Sequence, residues 1–184
     1  MDEKLCEIPD SKRWYAMRVT FRRELNVKQM LDMEHIENYV PMRRETRLLR
    51  GRRTQVMAPV IHNLIFVKSE KQVLQSFKAK VPYLQYMTTR EGNKNIPMVV
   101  PEWQMENFIS VSQSDDSNLI YFDSSEVNLA AGSPVCIHGG PFDGLKGTFV
   151  KIKGKRSKKV VIAVQNVLAV AIDAFNCDYM EIVK

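Results

Sequence analysis

The alternation of apolar and polar positions predicts strands and helices in the first 113 residues, and strands alone after that. Short runs rich in aromatic and β-branched residues predict strands, and apolar residues recurring every three or four positions predict helices. The predicted strands are 14–19, 36–40, 60–67 and 83–87, and the predicted helices are 22–33, 70–80 and one that begins at Pro101. This order predicts an α+β fold in which helices cover a mostly antiparallel sheet.

The pattern changes after Ser110, where serine and aspartate residues predict a solvated linker. An apolar run at 119–122 interrupts this linker and is expected to dock back onto a domain. From Leu129 onward, short β runs at 135–137, 147–153, 160–164, 169–172 and 180–183 predict a small SH3-like β-barrel. The predicted organisation is a disordered tail (1–12), an N-terminal domain (13–113), a linker (114–128) and a β-barrel (129–184).

Basic residues are concentrated in the N-terminal part. The net charge is +6; residues 1–113 hold 19 Lys+Arg against 13 Asp+Glu, whereas residues 114–184 hold 8 against 8. This excess predicts contact with nucleic acid or an acidic protein surface. The alternative is that the charge serves only solubility. Because guanidinium groups suit phosphates and stack on bases, the candidate nucleic-acid contacts are all arginines. They are Arg22, Arg23, Arg43, Arg44, Arg47, Arg50, Arg52 and Arg53. The alternative for the last six is a solvated hairpin that touches nothing.

Neither catalysis nor metal binding is indicated. The histidines His35, His62 and His138 show no metal-ligand spacing, and the chain has no phosphate loop and no nucleophile elbow. Three widely spaced cysteines predict reduced thiols rather than a disulfide frame. No apolar run is long enough for a membrane span or a signal core. The expectation is a cytoplasmic, non-enzymatic protein without cofactor or metal.

A C-terminal segment carries a distinctive turn pattern. Pro141 ends a strand, Phe142 can turn inward as a core anchor, Gly144 completes a turn, and Gly147 permits close backbone contact. The run 134–150 (PVCIHGGPFDGLKGTFV) resembles a KOW motif, carried here by Gly140, Pro141, Phe142, Gly144 and Gly147.

The N-terminal part resembles the NGN domain of the NusG family. The similarity lies in Trp14-Tyr15, Gly51-Arg52-Arg53, the central strand 64–67 and the helix 101–108. Together with the KOW-like run, the resemblance covers about residues 13–184. Ribosomal proteins also carry KOW motifs, but the combination with an NGN-like segment is specific. An RNA- or ribosome-associated KOW protein that never meets polymerase is the alternative.

The resemblance implies a transcription elongation factor that does no covalent chemistry. In the family, an apolar surface of the NGN domain binds the clamp helices of RNA polymerase and disfavours paused states. The residues expected on that surface are Trp14, Tyr15, Ile61, Leu64, Phe66 and Leu84, although most of them could instead be core. Alternate strand residues share a face, so Leu64 and Phe66 point the same way and could form an exposed patch. Gln75 and Ser76 match a second polymerase contact of the RfaH branch.

Two departures from the housekeeping pattern point to a specialised branch. His62-Asn63-Leu64 replaces Pro-Gly-Tyr, and 165–170 (QNVLAV) replaces a Phe-Gly-Arg element that helps the family contact the termination factor Rho. Rho binding is therefore put in doubt. Residues 44–67 look closest to the RfaH and UpxY branches, which antiterminate particular operons, often polysaccharide loci. The expected partners are RNA polymerase, upstream or non-template DNA and a small-subunit ribosomal protein.

Overall fold

The computed structural model describes residues 11–114, 119–123, 132–151, 158–164, 167–173 and 179–183. Residues 1–10 of the predicted tail and most of the predicted linker lie outside these ranges. The helices are α1 (Glu24–Met33), α2 (Lys71–Lys80) and α3 (Glu102–Ser112). The strands are β1 (Arg13–Val19), β2 (Glu37–Tyr39), β3 (Met42–Leu49), β4 (Arg52–Pro59), β5 (Leu64–Ser69), β6 (Leu84–Tyr86), β7 (Thr88–Glu91), β8 (Lys94–Pro97), β9 (Val99–Val100), β10 (Ile120–Asp123), β11 (Ser133–His138), β12 (Lys146–Lys151), β13 (Lys158–Val164), β14 (Leu168–Asp173) and β15 (Tyr179–Ile182). The predicted α+β class is confirmed.

The chain divides between Val100 and Pro101 into two compact units, called here unit 1 and unit 2. Unit 1 is built on an antiparallel sheet with the strand order β2-β5-β1-β6, to which β9 adds by pairing with β1. Tyr15 and Met17 of β1 lie in one core cluster with Ile65 and Val67 of β5. The helices contribute Val27, Leu31, Leu74 and Phe77 to the same cluster. Their i, i+4 and i, i+3 spacings give each helix one apolar stripe for the sheet.

The opposite face of these two strands is buried as well. Trp14 is 3% exposed, Leu64 is 3% exposed and Phe66 is fully buried. The expected exposed patch of Leu64 and Phe66 is therefore wrong, because both side chains are buried. Sequence alternation separates the two faces of a strand but does not show whether one of them meets water.

Two hairpins of unit 1 form small sheets of their own. β3 pairs with β4, and β7 pairs with β8. The first coincides with the basic stretch that carries six arginines. The second, closed by Gly92 at a φ of 58°, was not predicted, since its strands are short and mostly polar. Because these strands have no buried face, their sequences show no alternation of apolar and polar residues.

Unit 2 is built on a six-stranded antiparallel sheet with the order β10-β14-β13-β12-β11-β15. The apolar run expected to dock back onto a domain does so as β10, which pairs with β14. α3 lies in this unit and packs against β13 and β14, with Met105, Phe108 and Val111 buried. The Phe108 ring also meets the Tyr121 ring edge-on, with 6.5 Å between centroids. The sequence predicts a domain boundary after residue 113, and that boundary stays a prediction.

The KOW-like segment forms the turn between β11 and β12, although β11 ends at His138 and Pro141 lies in a short 3-10 helix, Gly140–Phe142, rather than at a strand end. Gly140 and Gly144 have φ values of 73° and 79°, which an L side chain rarely adopts, and Phe142 is 3% exposed. A Cβ atom added to Gly147 would lie 2.7 Å from Cγ1 of Val160 and 3.0 Å from the carbonyl oxygen of Val161. Gly147 is therefore required by close packing between β12 and β13.

We expect Gly147→Ala to destabilise unit 2 by about 1–3 kcal/mol, the usual cost of overpacking a filled core. Val160→Ala removes the methyl group that the new Cβ would strike. The double variant should therefore be more stable than the sum of the two single losses, by roughly 0.5 kcal/mol or more. Urea denaturation of all four proteins measures this coupling, and strict additivity would contradict the packing argument.

Candidate functional site

The β3–β4 hairpin is a projecting arm that collects six of the predicted nucleic-acid contacts. Its register runs without a bulge from Met42 opposite Pro59 to Leu49 opposite Arg52. Eight residues per strand give it a length of roughly 26 Å. The turn residues Arg50 and Gly51 have φ values of 50° and 77°. Two consecutive positive φ values are typical of the tight primed turns that suit the twist of a hairpin. All six arginines of the arm are exposed.

One acidic side chain pairs with two of these six arginines. Glu45 receives Nη2 of Arg43 on Oε1 at 2.7 Å and Nη2 of Arg47 on Oε2 at 3.1 Å. The three residues alternate along β3 and therefore share one face of the hairpin. Within the described part of the chain, no ion pair involves Arg50, Arg52 or Arg53. The positive charge that is not offset by an acid thus lies at the tip of the arm.

The pKa of Glu45 reflects this arrangement. Hydrogen bonds from Arg43 and then from Arg47 hold the pKa of this carboxyl below its ordinary value of 4.5. Because the folded-state pKa is depressed, the stabilisation is present above the unfolded pKa. It is lost as the pH falls through the folded pKa.

We expect Arg43→Gln to raise the pKa of Glu45 towards 4.5, because it removes the first hydrogen bond and the nearest charge. Arg52→Gln, which changes an arginine nearer the tip, should leave this pKa much closer to its wild-type position. Carboxyl NMR titration of the wild type and both variants measures the shift. Equal titration in all three proteins would contradict the clamped geometry.

Arg22 and Arg23 lie on a second element, the loop between β1 and α1. Phe21 and Arg22 both have positive φ values, 62° and 52°. The backbone N–H of Arg22 donates to Oδ1 of Asn63 at 2.9 Å, and the N–H of Val19 donates to the Asn63 carbonyl oxygen, also at 2.9 Å. The N–H of Thr20 donates to the Tyr83 carbonyl oxygen at 3.1 Å. Two other segments of unit 1 thus hold this loop in an unusual backbone conformation.

Phe21 is a surface residue that no pattern in the sequence predicts. Its side chain is 80% exposed, and the guanidinium of Arg23 lies 5.6 Å from its ring centroid. The same guanidinium lies 5.0 Å from the centroid of Tyr83. A single Phe between a predicted strand and a predicted helix is normally expected to be a core residue. No sequence pattern indicates the positive φ of Phe21, which turns its ring towards solvent.

Behind this loop, His62 and Glu24 connect two segments of unit 1. Nδ1 of His62 lies 3.1 Å from Oε1 of Glu24, whose residue is 1% exposed at the start of α1. Oε2 of Glu24 has no hydrogen-bond partner among the described residues. A carboxylate in the first helical turn is favoured by the helix dipole. The pair fastens residues 62 and 63 to α1, and Asn63 in turn fixes the β1–α1 loop.

The expected polymerase contacts do not form one surface. Trp14, Tyr15, Leu64, Phe66 and Leu84 are buried, at 3% exposure or less. Ile61 is half-buried. Gln75 and Ser76 are exposed on α2, where the Ser76 hydroxyl donates to the Gln72 carbonyl oxygen at 3.1 Å. The roles of all these residues at polymerase stay predictions, but the buried ones reach no partner in the conformation described.

A family model described as "Transcription termination factor nusG" matches residues 12–109, more than half of the chain. The chain belongs to the NusG family. The match spans the described part of unit 1, including the arm and the β1–α1 loop, and continues into α3. The family consists of transcription factors that act on elongation or termination, without enzymatic activity. No helix in the described ranges is long and apolar enough to cross a membrane.

One solved structure similar to the chain is titled "Domain interaction in Thermotoga maritima NusG". It is 16% identical, covers 95% of this chain and 98% of its own, and superposes with a TM-score of 0.46. A comparison with curated proteins gave no match.

Proposed function

We propose that this member of the NusG family binds RNA polymerase through unit 1 and reduces pausing or termination at particular operons, such as polysaccharide loci. The observation that carries the proposal is the family match over residues 12–109. A KOW protein that only meets RNA or the ribosome has no need of that segment. The proposed mechanism is a population shift, in which tighter binding to the elongating state of polymerase disfavours the paused state.

The proposal of reduced rather than promoted termination is supported by the segment that replaces the Rho-contacting element. Of residues 165–170, the structure describes the last four, Val167 to Val170, and all of them are buried. Leu168 to Val170 belong to β14 and pair with β10 and β13. Apolar side chains turned into the sheet offer little for a partner such as Rho to contact. A small-subunit ribosomal protein remains the proposed partner of unit 2.

The accessible candidates for polymerase binding are the polar residues at the middle of α2. Gln75 and Ser76 are exposed, whereas Leu74 and Phe77 on either side of them are buried under the sheet. Rigid packing of Leu74 and Phe77 fixes the direction in which Gln75 and Ser76 point. A polar contact on such a helix can be removed without disturbing the core.

We expect the tagged wild-type chain to retain RNA polymerase in a pull-down, and the double variant Gln75→Ala/Ser76→Ala to retain several-fold less. Gln29→Ala, an exposed glutamine on α1, is the matched control and should bind like the wild type. Variants of Leu64 or Phe66 are unsuitable, because an acid in a buried strand would unfold unit 1. Failure of the wild type to retain polymerase would refute the proposal.

The arm is the proposed contact with upstream or non-template DNA. Its tip residues Arg50, Arg52 and Arg53 carry charge that no described acid offsets, so each can release a counterion from a phosphate. Arg43 and Arg47 already interact with Glu45 and must exchange that ion pair for a phosphate.

We expect the triple variant Arg50→Ala/Arg52→Ala/Arg53→Ala to bind a reconstituted elongation complex more weakly. The slope of the logarithm of its binding constant against the logarithm of the salt concentration should become shallower by up to about three. Arg43→Ala/Arg47→Ala should have a smaller effect per residue. Fluorescence anisotropy over a range of KCl concentrations measures both. An unchanged slope in the tip variant would remove the arm from the interface.

A further inference from the structure

Trp103 is exposed, although tryptophan is among the residues that are most buried on average. Its side chain is 55% exposed, whereas Trp14, the other tryptophan of the chain, is 3% exposed. Trp103 lies in the first turn of α3, and Gln104 and Asn107 follow it in the same helix. Residues three and four positions apart are neighbours on a helix surface, so Asn107 lies beside both Trp103 and Gln104.

A groove of about 610 Å³ lies between this side of α3 and the strands of unit 2. Its volume falls within the range of roughly 300–1,000 Å³ that small-molecule sites occupy. The wall opposite α3 contains Thr148 of β12, which pairs with Pro134 of β11 and with Val161 of β13. Lys146 lies two residues before Thr148 and therefore on the same side of β12. Both walls belong to unit 2, in which α3 packs against β13.

Several polar groups of the groove are available to a ligand. The lining side chains without a hydrogen-bond or ion-pair partner among the described residues are Trp103, Asn107, Lys146 and Thr148. They supply a flat aromatic face, an amide that both donates and accepts, a cation and a hydroxyl group. Lys146 is the only charged residue among the described residues that line the groove. The ligand that fits these groups has an apolar ring face, several hydroxyl groups and one negative charge.

We propose that the groove binds an acidic sugar, a pyranose ring that carries one carboxylate group. One face of a pyranose presents C–H bonds, which pack on the indole of Trp103. The hydroxyl groups at its edge exchange hydrogen bonds with the Asn107 amide and the Thr148 hydroxyl. The carboxylate accepts a charge-assisted hydrogen bond from Lys146.

A mononucleotide is a poorer match for this groove. Its phosphate carries about two negative charges, and the groove offers a single cation to offset them. The inference goes beyond the proposed function and does not depend on polymerase, since it stands on the residues of the groove alone.

The test uses the full chain labelled with ¹⁵N and follows its two indole N–H signals by NMR as D-galacturonate is added. Trp103→Phe assigns these signals, because it removes the exposed indole and leaves that of Trp14. We expect the Trp103 signal to shift until the groove is saturated, while the signal of buried Trp14 stays in place. D-galactose, which lacks the carboxylate, should bind at least about tenfold more weakly, the loss expected for one hydrogen bond to a charged group.

Variants on the two walls separate the contributions of charge and hydrogen bonding. Lys146→Gln should lower the affinity for galacturonate to that for galactose and leave the affinity for galactose unchanged. Lys94→Gln removes an exposed cation of unit 1 and is the matched control, which should bind like the wild type. Asn107→Leu keeps the size of the side chain without the amide and should weaken the binding of both sugars several-fold. The dispersion of the remaining amide signals verifies that each variant is folded.

A trimer of galacturonate identifies the source of the sugar. Tighter binding of the trimer assigns the groove to a segment of an acidic polysaccharide, and equal or weaker binding assigns it to the free sugar acid. Both results support an acidic-sugar site.

The proposal is overturned if galacturonate leaves the Trp103 signal in place, or if acetate shifts it as much at the same concentration. Tighter binding of uridine monophosphate would also overturn it. Sedimentation velocity tests whether a second copy of the chain fills the groove instead, and a dimer that Trp103→Ala abolishes would refute the sugar site. Failure of this inference is distinguishable from failure of the proposed function, because none of these assays contains polymerase.

Discussion

The antiparallel pairing of β1 with β5 is the constraint on which unit 1 depends. Six residue pairs, from Arg13 opposite Ser69 to Arg18 opposite Leu64, align two strands that are buried on both faces. A shift by one residue would exchange the two faces, placing Met17 and Val19 away from α1 and α2. The register therefore fixes the positions of the helices. The apolar residues on both faces of these two strands are buried, so neither face is open to a partner in this conformation.

Because the sheet is enclosed, the exposed candidates lie on elements that project from it. The arm extends as a separate hairpin, the β1–α1 loop turns outward at Phe21, and α2 exposes Gln75 and Ser76. Each is anchored to the central pair differently. β5 begins directly after Asn63, which holds the loop, and β1 ends at Val19, whose N–H completes that hold. The strand ends thus position the loop that carries Phe21.

Much of the fold could be predicted from the sequence because apolar period is a direct record of burial. The helices 22–33 and 70–80 and the strand 14–19 lie within two residues of their observed bounds. β7 and β8 could not be predicted, because their short and mostly polar sequences show no apolar period. The burial of Leu64 and Phe66 could not be predicted either, since periodicity cannot show what covers a second face. Phe21 was missed for the opposite reason: its exposure follows from backbone angles set by Asn63, 42 positions away.

The arginines of the arm could be found from the sequence, but the differences between them could not. Composition found the arm, but all six arginines looked equivalent until Glu45 was placed between Arg43 and Arg47 on one face. Surface ion pairs of this kind contribute little to stability. Their effect is instead to restrict direction, because two guanidinium groups are drawn together at Glu45 while the charges at the tip have no acidic partner among the described residues. A phosphate approaching the arm therefore meets the strongest unbalanced field at Arg50, Arg52 and Arg53, where the hairpin reaches furthest from the sheet.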